Sequence, residues 1–279
     1  MTSIAVYYEV SSVNTILKDL NSKDSLLPAS AKGSNRSRTV VLPEATVLLI
    51  DILNFTTQCA TLPAGKVGEW VAAFYRLVHA AASTHGVAIV EIRGDCCVCV
   101  AGAEGAAPSR RRREKSAAAA DTPADQATRM LAFAARLHAD LAGFAGAGGP
   151  ILTRMGVATG PLALLTIGDG SAEGAAGFTS ARGDAAEAAA RMEALAAPGR
   201  ARVHQSTAGR WAAEAPGRPA PPTASVYCAD PALGPQRAAV YDCAARAFLP
   251  APAPPPAAAP AAAGGGRALR LRAVLSAKF

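Results

Sequence analysis

Two aspartates stand where apolar runs of the sequence end, and their positions suit chemistry on phosphate groups. Asp51 directly follows the apolar run of residues 46–50, and Asp95 lies in a Gly-Asp pair between two further apolar runs. Carboxylates that converge at one edge of a sheet favour Mg²⁺ or Mn²⁺, because these ions prefer oxygen ligands. A metal pair held there could activate a hydroxyl group and hold a phosphate chain.

The surrounding pattern predicts elements that would bring these aspartates together. Strands are predicted at residues 46–50, 87–92, 96–101, 151–158, 162–167, 225–228 and 238–243, with turns at 94–95 and 160–161. Helices are predicted from Pro63 to Gly86, from a cap at Asp121 or Thr122 through Leu141, and over residues 184–196. The order strand, helix, strand–hairpin–strand, helix, strand predicts an α+β fold with a ferredoxin-like βαββαβ core sheet and flanking helices. Its first and third strands are neighbours, so Asp51 and Asp95 should lie side by side.

Length and local composition predict a single folded domain with flanking segments. The 279 residues divide into a flexible N-terminal segment (1–43), a folded domain (44–248) that contains an insertion (103–121), and a Pro/Ala-rich tail (249–279). No run of about 18 large apolar residues and no secretory signal is found, so we expect no membrane span. We therefore expect a cytoplasmic chain, or the cytosolic part of a larger signalling protein.

Charge and cysteine patterns bear on two other kinds of function, nucleic-acid binding and soft-metal binding. Part of the net charge of +7 comes from the run Arg110–Arg113, which is typical of either a nucleic-acid contact or a solvated loop. The run lies between Ala/Ser-rich stretches without aromatics, so we favour the loop and expect no nucleic-acid partner. The cysteines at 96, 97 and 99 could bind a soft metal, but alternation along a strand is the favoured interpretation.

Four segments resemble motifs of the class III adenylyl and guanylyl cyclase catalytic domains. TVLLIDILNFT (46–56) is similar to the family's V-x-x-x-x-D-I-x-G-F-T opening, and VEIRGD (90–95) to its V-E-T-I-G-D hairpin. MGVATGP (155–161) is similar to I-G-I-x-T-G-P, and GDAAEAAARME (183–193) to G-D-T-V-N-x-A-S-R-M-E. Each motif alone is weak, but the four occur in the family's order and at about its spacing. The resemblance covers roughly residues 44–243 and implies the class III cyclase fold.

The resemblance also implies roles for individual residues. Two Mg²⁺ or Mn²⁺ ions per site would be bound at Asp51, Ile52 and Asp95, with the triphosphate over the backbone that continues through Asn54, Phe55 and Thr56. The ribose 3′-hydroxyl would attack the α-phosphate in line, and pyrophosphate would leave. Arg191 matches the family arginine that steadies charge on the reacting phosphate.

Two positions of the resemblance bear on the choice of base. Glu91 occupies the position where guanylyl cyclases carry Glu and adenylyl cyclases usually carry Lys. A carboxylate accepts hydrogen bonds from guanine N1–H and N2–H₂, and adenine offers no such donor pair on that edge. The second position aligns with Ser180, which can donate or accept and does not discriminate. GTP is therefore favoured over ATP.

Several residues depart from the family pattern. Glu187 stands where the family has the asparagine that orients the ribose, and Arg237 is the nearest candidate for a late phosphate-binding lysine. Asn54 replaces a glycine, and Arg93 replaces an isoleucine. The catalytic site of this family forms between two subunits, so a homodimer or a heterodimer with another cyclase subunit is expected. Three functions are compatible with these residues: a guanylyl cyclase, an impaired cyclase-like regulatory or partner domain, and an adenylyl cyclase.

Overall fold

The computed structural model describes residues 37–103, 125–146, 149–167, 178–227 and 234–251. The strands of these ranges are β1 Ser37–Ile52, β2 Ala88–Arg93, β3 Cys96–Ala101, β4 Ala145–Gly146, β5 Gly149–Pro150, β6 Thr153–Ile167, β7 Phe178–Arg182, β8 Arg200–His204, β9 Ala224–Tyr227, β10 Pro235–Asp242 and β11 Ala247–Phe248. The helices are α1 Phe55–Thr61, α2 Ala64–His85, α3 Gln126–Ala142, α4 Asp184–Ala194 and α5 Gln205–Ala213. The predicted insertion from 104 onward, the loop 168–177, and the segments 1–36 and 252–279 lie outside the described residues.

One mixed sheet forms the centre of the domain. Its strand order is β11-β10-β8-β6-β1-β3-β2, with β7 also paired to β6 and β9 to β10. Strand β1 lies between β3 and β6 and is antiparallel to both. The predicted α+β sheet with flanking helices is confirmed, and the first and third strands are neighbours as its topology requires.

Apolar residues cover both faces of this sheet, which explains the uninterrupted apolar run before Asp51. Alternate residues of β1 point to opposite faces: Leu48 and Ile50 join one buried cluster, whereas Val47 and Leu49 join the other. Helices α2 and α3 cover the first face with Trp70, Phe74, Val78, Met130, Leu131 and Phe133. Helix α4 covers the second face with the small side chains Ala185, Ala188 and Ala189.

Strand β1 begins earlier than predicted. Residues 37–42 pair with residues 162–167 of β6, so part of the segment predicted to be flexible is strand. The predicted boundary lay at residues 43–44, where the sequence pattern changes from polar to apolar. The register shifts between Leu42 and Ala45, so that two residues of β1 oppose Pro161 alone in a β-bulge.

The predicted turn at Gly160 and Pro161 is wrong, because these residues lie within a strand at the same bulge. Strand β6 runs without interruption from Thr153 to Ile167, where a turn between two strands was predicted. The two prolines, Pro43 and Pro161, face each other at the bulge, where the ladder needs fewer N–H donors. A Gly-Pro pair therefore does not end the strand.

The helix ends match the predictions unevenly. Helix α2 follows Pro63 and ends at Gly86, which adopts φ 62°, as the sequence predicts. Helix α3 begins at Gln126, beyond the predicted caps at 121 and 122, which lie outside the described residues. Its first N–H groups, of Ala127 and Thr128, donate instead to the Glu214 carboxylate at 2.8 Å each. A cap supplied 86 or 87 residues later in the chain leaves no local sequence signal.

Seven elements of the described residues were not predicted: α1, β4, β5, β7, β8, α5 and β11. Each is only 2 to 9 residues long, too short for a distinct hydrophobic period. The strands β7 and β8 are placed by pairing with β6 and β10 rather than by local propensity. None of the helices in the described ranges is long and apolar enough to span a membrane.

Candidate active site

Sheet pairing brings Asp51 and Asp95 to one place. Asp51 lies near the end of β1, and Asp95 lies in the turn before β3, which pairs with β1 through Ile50 and Cys97. Burial raises the pKa of Asp95, and the nearby Asp51 carboxylate raises it further. The two carboxylates are therefore close enough to repel each other electrostatically, as a metal-binding pair would be. Metal binding by this pair stays a prediction.

A tyrosine of α2 holds the turn that carries Asp95. The Tyr75 hydroxyl donates to the carbonyl oxygen of Gly94 at 2.7 Å, and Gly94 adopts φ 62° in the turn. This contact joins the hairpin to α2 next to the aspartates. No local pattern predicts this contact, because it joins residues that are 19 positions apart in the chain.

Arg154, which the sequence analysis did not single out, lies against the aspartates. Its Nη2 donates to Asp51 Oδ2 at 2.6 Å, and its Nε lies 3.0 Å from Glu193 Oε1. Arg154 faces Asp51 directly in the β1–β6 register, so knowledge of the pairing would have identified it. Burial raises the pKa of Glu193 to about 7, Arg154 opposes this, and Asp51 and Asp95 add to it. One guanidinium group thus provides positive charge beside three carboxylates, those of Asp51, Asp95 and Glu193.

The oxygen donors present fit a metal that arrives with a phosphate substrate. No cluster of three or more His, Cys, Asp or Glu side chains suited to a metal occurs among the described residues, so Cys96, Cys97 and Cys99 form no such site there. Mg²⁺ commonly uses one or two carboxylates and takes its remaining ligands from substrate phosphates and water. Asp51 and Asp95 match that pattern. The side chain of Ile52 is 1% exposed within the core, so only its main chain could take part.

The turn after Asp51 keeps a glycine-like conformation without glycine. Asn54 adopts φ 59° and ψ 23°, a left-handed conformation that Asn tolerates better than most residues. The replacement of the family glycine therefore preserves the turn. The Phe55 ring stacks on Trp70 at 5.8 Å between centroids, and Thr56 is exposed at the start of α1. Phe55 could thus contact a triphosphate only through its main chain.

The two positions expected to recognise the base are in contact. Glu91 has a side chain that is 2% exposed, and its Oε2 accepts from Ser180 Oγ at 3.3 Å and from Ala181 N at 3.1 Å. Strand β7, which the sequence analysis missed, places Ser180 there. The role of these two residues in base recognition stays a prediction.

Two arginines surround this glutamate. Arg93 Nε donates to Glu91 Oε1, and Arg182 Nη1 lies 3.7 Å from Oε2. Burial alone would raise the pKa of Glu91, but the hydrogen bonds from Arg93 and Ala181 and the charge of Arg182 lower it. Glu91 is therefore held ionised, which is the form that accepts hydrogen bonds.

The remaining predicted residues form no hydrogen bond or ion pair with Asp51 among the described residues. Arg191 forms an i,i+4 ion pair with Glu187 at 3.7 Å on α4, and its buried Nε has no hydrogen-bond partner within the described ranges. Arg237 lies on β10 and donates to Thr223 Oγ1 at 3.2 Å. The register from β1 through β6 and β8 to β10 places Arg237 at the opposite end of the sheet from Asp51. A single chain therefore does not bring Arg237 to the aspartates.

The strand order, the adjacent aspartates at one sheet end and the buried glutamate on the next hairpin strand together define a nucleotide cyclase domain. The family model described as the adenylate and guanylate cyclase catalytic domain matches residues 40–214. The chain belongs to this family.

Solved structures share the fold at low sequence identity. The catalytic core of a rhodopsin-guanylyl cyclase with converted specificity, in complex with ATPαS, is 23% identical, with 72% of this chain and 96% of that chain covered and a TM-score of 0.56. The guanylate cyclase domain of RhGC from Catenaria anguillulae, in complex with GTP, is 23% identical over 71% of this chain and 96% of its own, with a TM-score of 0.55. The adenylyl cyclase CyaB from P. aeruginosa is 15% identical over 74% and 96%, with a TM-score of 0.53. No curated protein sequence matches the chain.

Proposed function

We propose that this domain converts GTP to cyclic GMP and pyrophosphate. The observation that carries the proposal is the adjacency of Asp51 and Asp95, together with a buried, ionised Glu91 that contacts Ser180. The pair supports phosphate chemistry, and Glu91 supports the choice of guanine. In the reaction the ribose 3′-oxygen forms a bond to the α-phosphorus, the bond to the β-phosphate bridge oxygen breaks, and the hydroxyl proton is lost to solvent.

The residues of the metal-binding end have distinct tasks in this proposal. Asp51 and Asp95, with the main chain of Ile52, would hold Mg²⁺ or Mn²⁺, which would supply charge neutralisation and help to deprotonate the 3′-hydroxyl. Arg154 already balances Asp51 at 2.6 Å and would provide a second positive charge for the triphosphate. The turn at Asn54 would direct main-chain groups towards the phosphates.

A composite site between two copies, or between this chain and a related subunit, explains why the functional residues form separate groups. Arg191 pairs with Glu187 on α4 and has a buried Nε without a hydrogen-bond partner among the described residues, whereas Arg154 donates to Asp51. A second subunit would bring Arg191 to the phosphate that the aspartates of its partner hold. Arg237, at the opposite end of the sheet, could likewise act only in trans.

A product assay tests the proposal. Purified protein with Mn²⁺ is expected to form cyclic GMP from GTP, and to form less cyclic AMP from ATP. Asp51→Asn should reduce the rate by at least about 10²-fold, because the charge that holds the metal is lost. Asp140→Asn is the matched control, since Asp140 lies in a helix-surface pair with Arg136. Cyclic AMP as the main product would instead support the adenylyl cyclase alternative.

A catalytically impaired regulatory or partner domain is the second candidate, and one observation favours it. Glu91 is bound by Arg93 and faced by Arg182, so the base-recognising group is already occupied. A folded protein that binds nucleotide with Mn²⁺ but forms no cyclic product from GTP or ATP would support this candidate. Turnover that appears only after addition of a complete cyclase subunit would support the heterodimer.

A further inference from the structure

Both oxygens of the buried Glu91 carboxylate are engaged within the chain. Oε2 accepts from Ala181 N at 3.1 Å and from Ser180 Oγ at 3.3 Å, and Oε1 accepts from Arg93 Nε. An ionised carboxylate offers about four lone-pair positions, about two on each oxygen. Three are therefore used, and about one remains on Oε1. Guanine presents N1–H and N2–H₂ together, so its full donor edge needs more room than the carboxylate has.

The guanidinium of Arg93 resembles the part of guanine that Glu91 would bind. Guanidinium is planar and presents neighbouring N–H donors that match a carboxylate. The N1–H and N2–H₂ groups of guanine are the same kind of donor pair around one carbon atom. Arg93 therefore occupies Glu91 with the chemistry of the substrate base, from within the same chain.

Exposure indicates which of the two partners can move. The side chain of Arg93 is 51% exposed, whereas that of Glu91 is 2% exposed. Arg93 is the last residue of β2, next to the Gly94–Asp95 turn, so it can turn to solvent without unpacking the core. Arg182 is also about half exposed, but at 3.7 Å from Oε2 it is the weaker partner.

We propose that Arg93 determines base specificity by competing with guanine for Glu91, an inference that rests on the proposed use of Glu91 in GTP binding. Guanine must displace the Arg93 guanidinium before both of its donors reach the carboxylate. Adenine lacks the donor pair and gains nothing from this displacement. Arg93 thus lowers the affinity for GTP more than the affinity for ATP. It therefore reduces the preference for GTP over ATP that Glu91 alone would impose.

Equilibrium binding tests this without turnover. The probes are 3′-deoxy-GTP and 3′-deoxy-ATP, which lack the attacking hydroxyl, with Mn²⁺ and the full chain. Arg93→Met should tighten binding of 3′-deoxy-GTP by about three- to tenfold, since a half-exposed charged hydrogen bond no longer competes. Binding of 3′-deoxy-ATP should change by less than about twofold. Arg136→Met is the matched control, because its side chain is 53% exposed on the α3 surface, and should change neither.

Two further variants tie the effect to Glu91. The gain from Arg93→Met should disappear in a Glu91→Gln background, because the group for which both compete has lost its charge. Arg93→Lys, which keeps the charge but not the planar fork, should give a smaller gain than Arg93→Met. Thermal unfolding of each variant confirms that it is folded.

The outcomes separate this inference from the proposed function. The wild type could bind 3′-deoxy-GTP while Arg93→Met leaves the ratio of the affinities for 3′-deoxy-GTP and 3′-deoxy-ATP unchanged. This result would overturn the role of Arg93 but not the proposed function. Weaker 3′-deoxy-GTP binding in Arg93→Met would overturn that role too, and would make Arg93 a direct contact of the base. Failure of the wild type and of Arg93→Met to bind either probe would overturn the proposed function together with this inference.

Discussion

The residues around Asp51 show how a cluster of carboxylates is kept stable before substrate binds. Asp51, Asp95 and Glu193 share the guanidinium of Arg154, which contacts Asp51 at 2.6 Å and Glu193 at 3.0 Å. One positive charge cannot balance three negative charges in a partly buried site. Burial is the main cause of the raised pKa values of Asp95 and Glu193, and the neighbouring carboxylates raise them further, since a bound proton removes part of the repulsion.

The pH dependence of stability should reveal this proton. The pKa of Glu193 is about 7 in the folded protein and 4.5 ordinarily, so the folded state binds the proton more tightly. This contribution is fully present below about pH 4.5 and is lost as pH rises through about 7. Between pH 5 and 8 we expect the free energy of unfolding of the metal-free wild type to fall by about 2 kcal/mol relative to that of Glu193→Gln. The glutamine side chain of this variant cannot ionise, so its stability does not depend on this proton.

Thermal melts in EDTA across this pH range measure the difference. Glu69→Gln is the control, because Glu69 is 70% exposed on α2 and should keep the wild-type pH dependence. Parallel pH profiles for wild type and Glu193→Gln would contradict a proton held on Glu193.

At this scale, the sequence predicted residue types better than their contacts. Asp51, Asp95, Glu91 and Ser180 were chosen from motifs, and the structure places them in two adjacent pairs. Arg154 was missed because its contact depends on the β1–β6 register, which no local pattern reveals.

A close approach to strand β6 fixes the position of helix α4, which carries Arg191 and Glu193. Helix α4 packs on β6 at Gly156, where an added Cβ would lie 2.1 Å from Ala189 O and 2.1 Å from Glu193 N. These are main-chain atoms, which cannot move aside without displacing the helix. The glycine of the family's strand motif therefore has a packing reason here.

We expect Gly156→Ala to destabilise the domain by at least about 1–3 kcal/mol, because it overpacks this contact. The displaced α4 should also lower turnover. The matched control is Gly209→Ala in α5, where nothing lies within 4 Å of an added Cβ. That substitution should be neutral or stabilise by up to about 1 kcal/mol, since Ala favours helix more than Gly. Equal unfolding temperatures for the two variants would contradict the packing argument.

The tether between α2 and the β2–β3 hairpin gives a second prediction for an element. Tyr75→Phe removes the hydroxyl that donates to Gly94 O at 2.7 Å and keeps the ring. We expect a loss of about 0.5–1.5 kcal/mol in stability. Titration with Mn²⁺ should show weaker metal binding, because Asp95 is held less firmly. Tyr227→Phe, at a residue that is 75% exposed, should change neither quantity, and unaltered Mn²⁺ affinity in Tyr75→Phe would exclude a positioning role.

Long elements with a clear period were predicted well, and elements set by pairing were not. Helix α2 has Trp70, Phe74 and Val78 on one buried face between Pro63 and Gly86, so periodicity and end signals agree. Strand β6 passes through Gly160 and Pro161 because its partner β1 supplies a bulge there. Such compensation comes from a segment more than a hundred residues away in the chain and leaves no trace in the local sequence.

At the scale of the whole molecule, the residues predicted to form the site belong to separate elements. The aspartates lie at one end of the sheet, Arg191 lies on α4 with Glu187, and Arg237 lies at the other end. A symmetric pair of chains would contain two composite sites, each using the aspartates of one copy and Arg191 of the other. The shared site, which the family resemblance predicts, stays a prediction, because a single chain cannot display a site formed by two.

Complementation between two inactive variants tests this account most directly. Asp51→Asn and Arg191→Ala should each lose nearly all formation of cyclic GMP. After the two variants are mixed and allowed to exchange subunits, about half of the dimers should contain one copy of each variant. Each such dimer keeps one intact site of two, so about a quarter of the wild-type activity should return. Wild-type activity that is not restored at all in the mixture would contradict a site shared between subunits, and no cyclic product from the wild type with Mn²⁺ and GTP or ATP would contradict turnover itself.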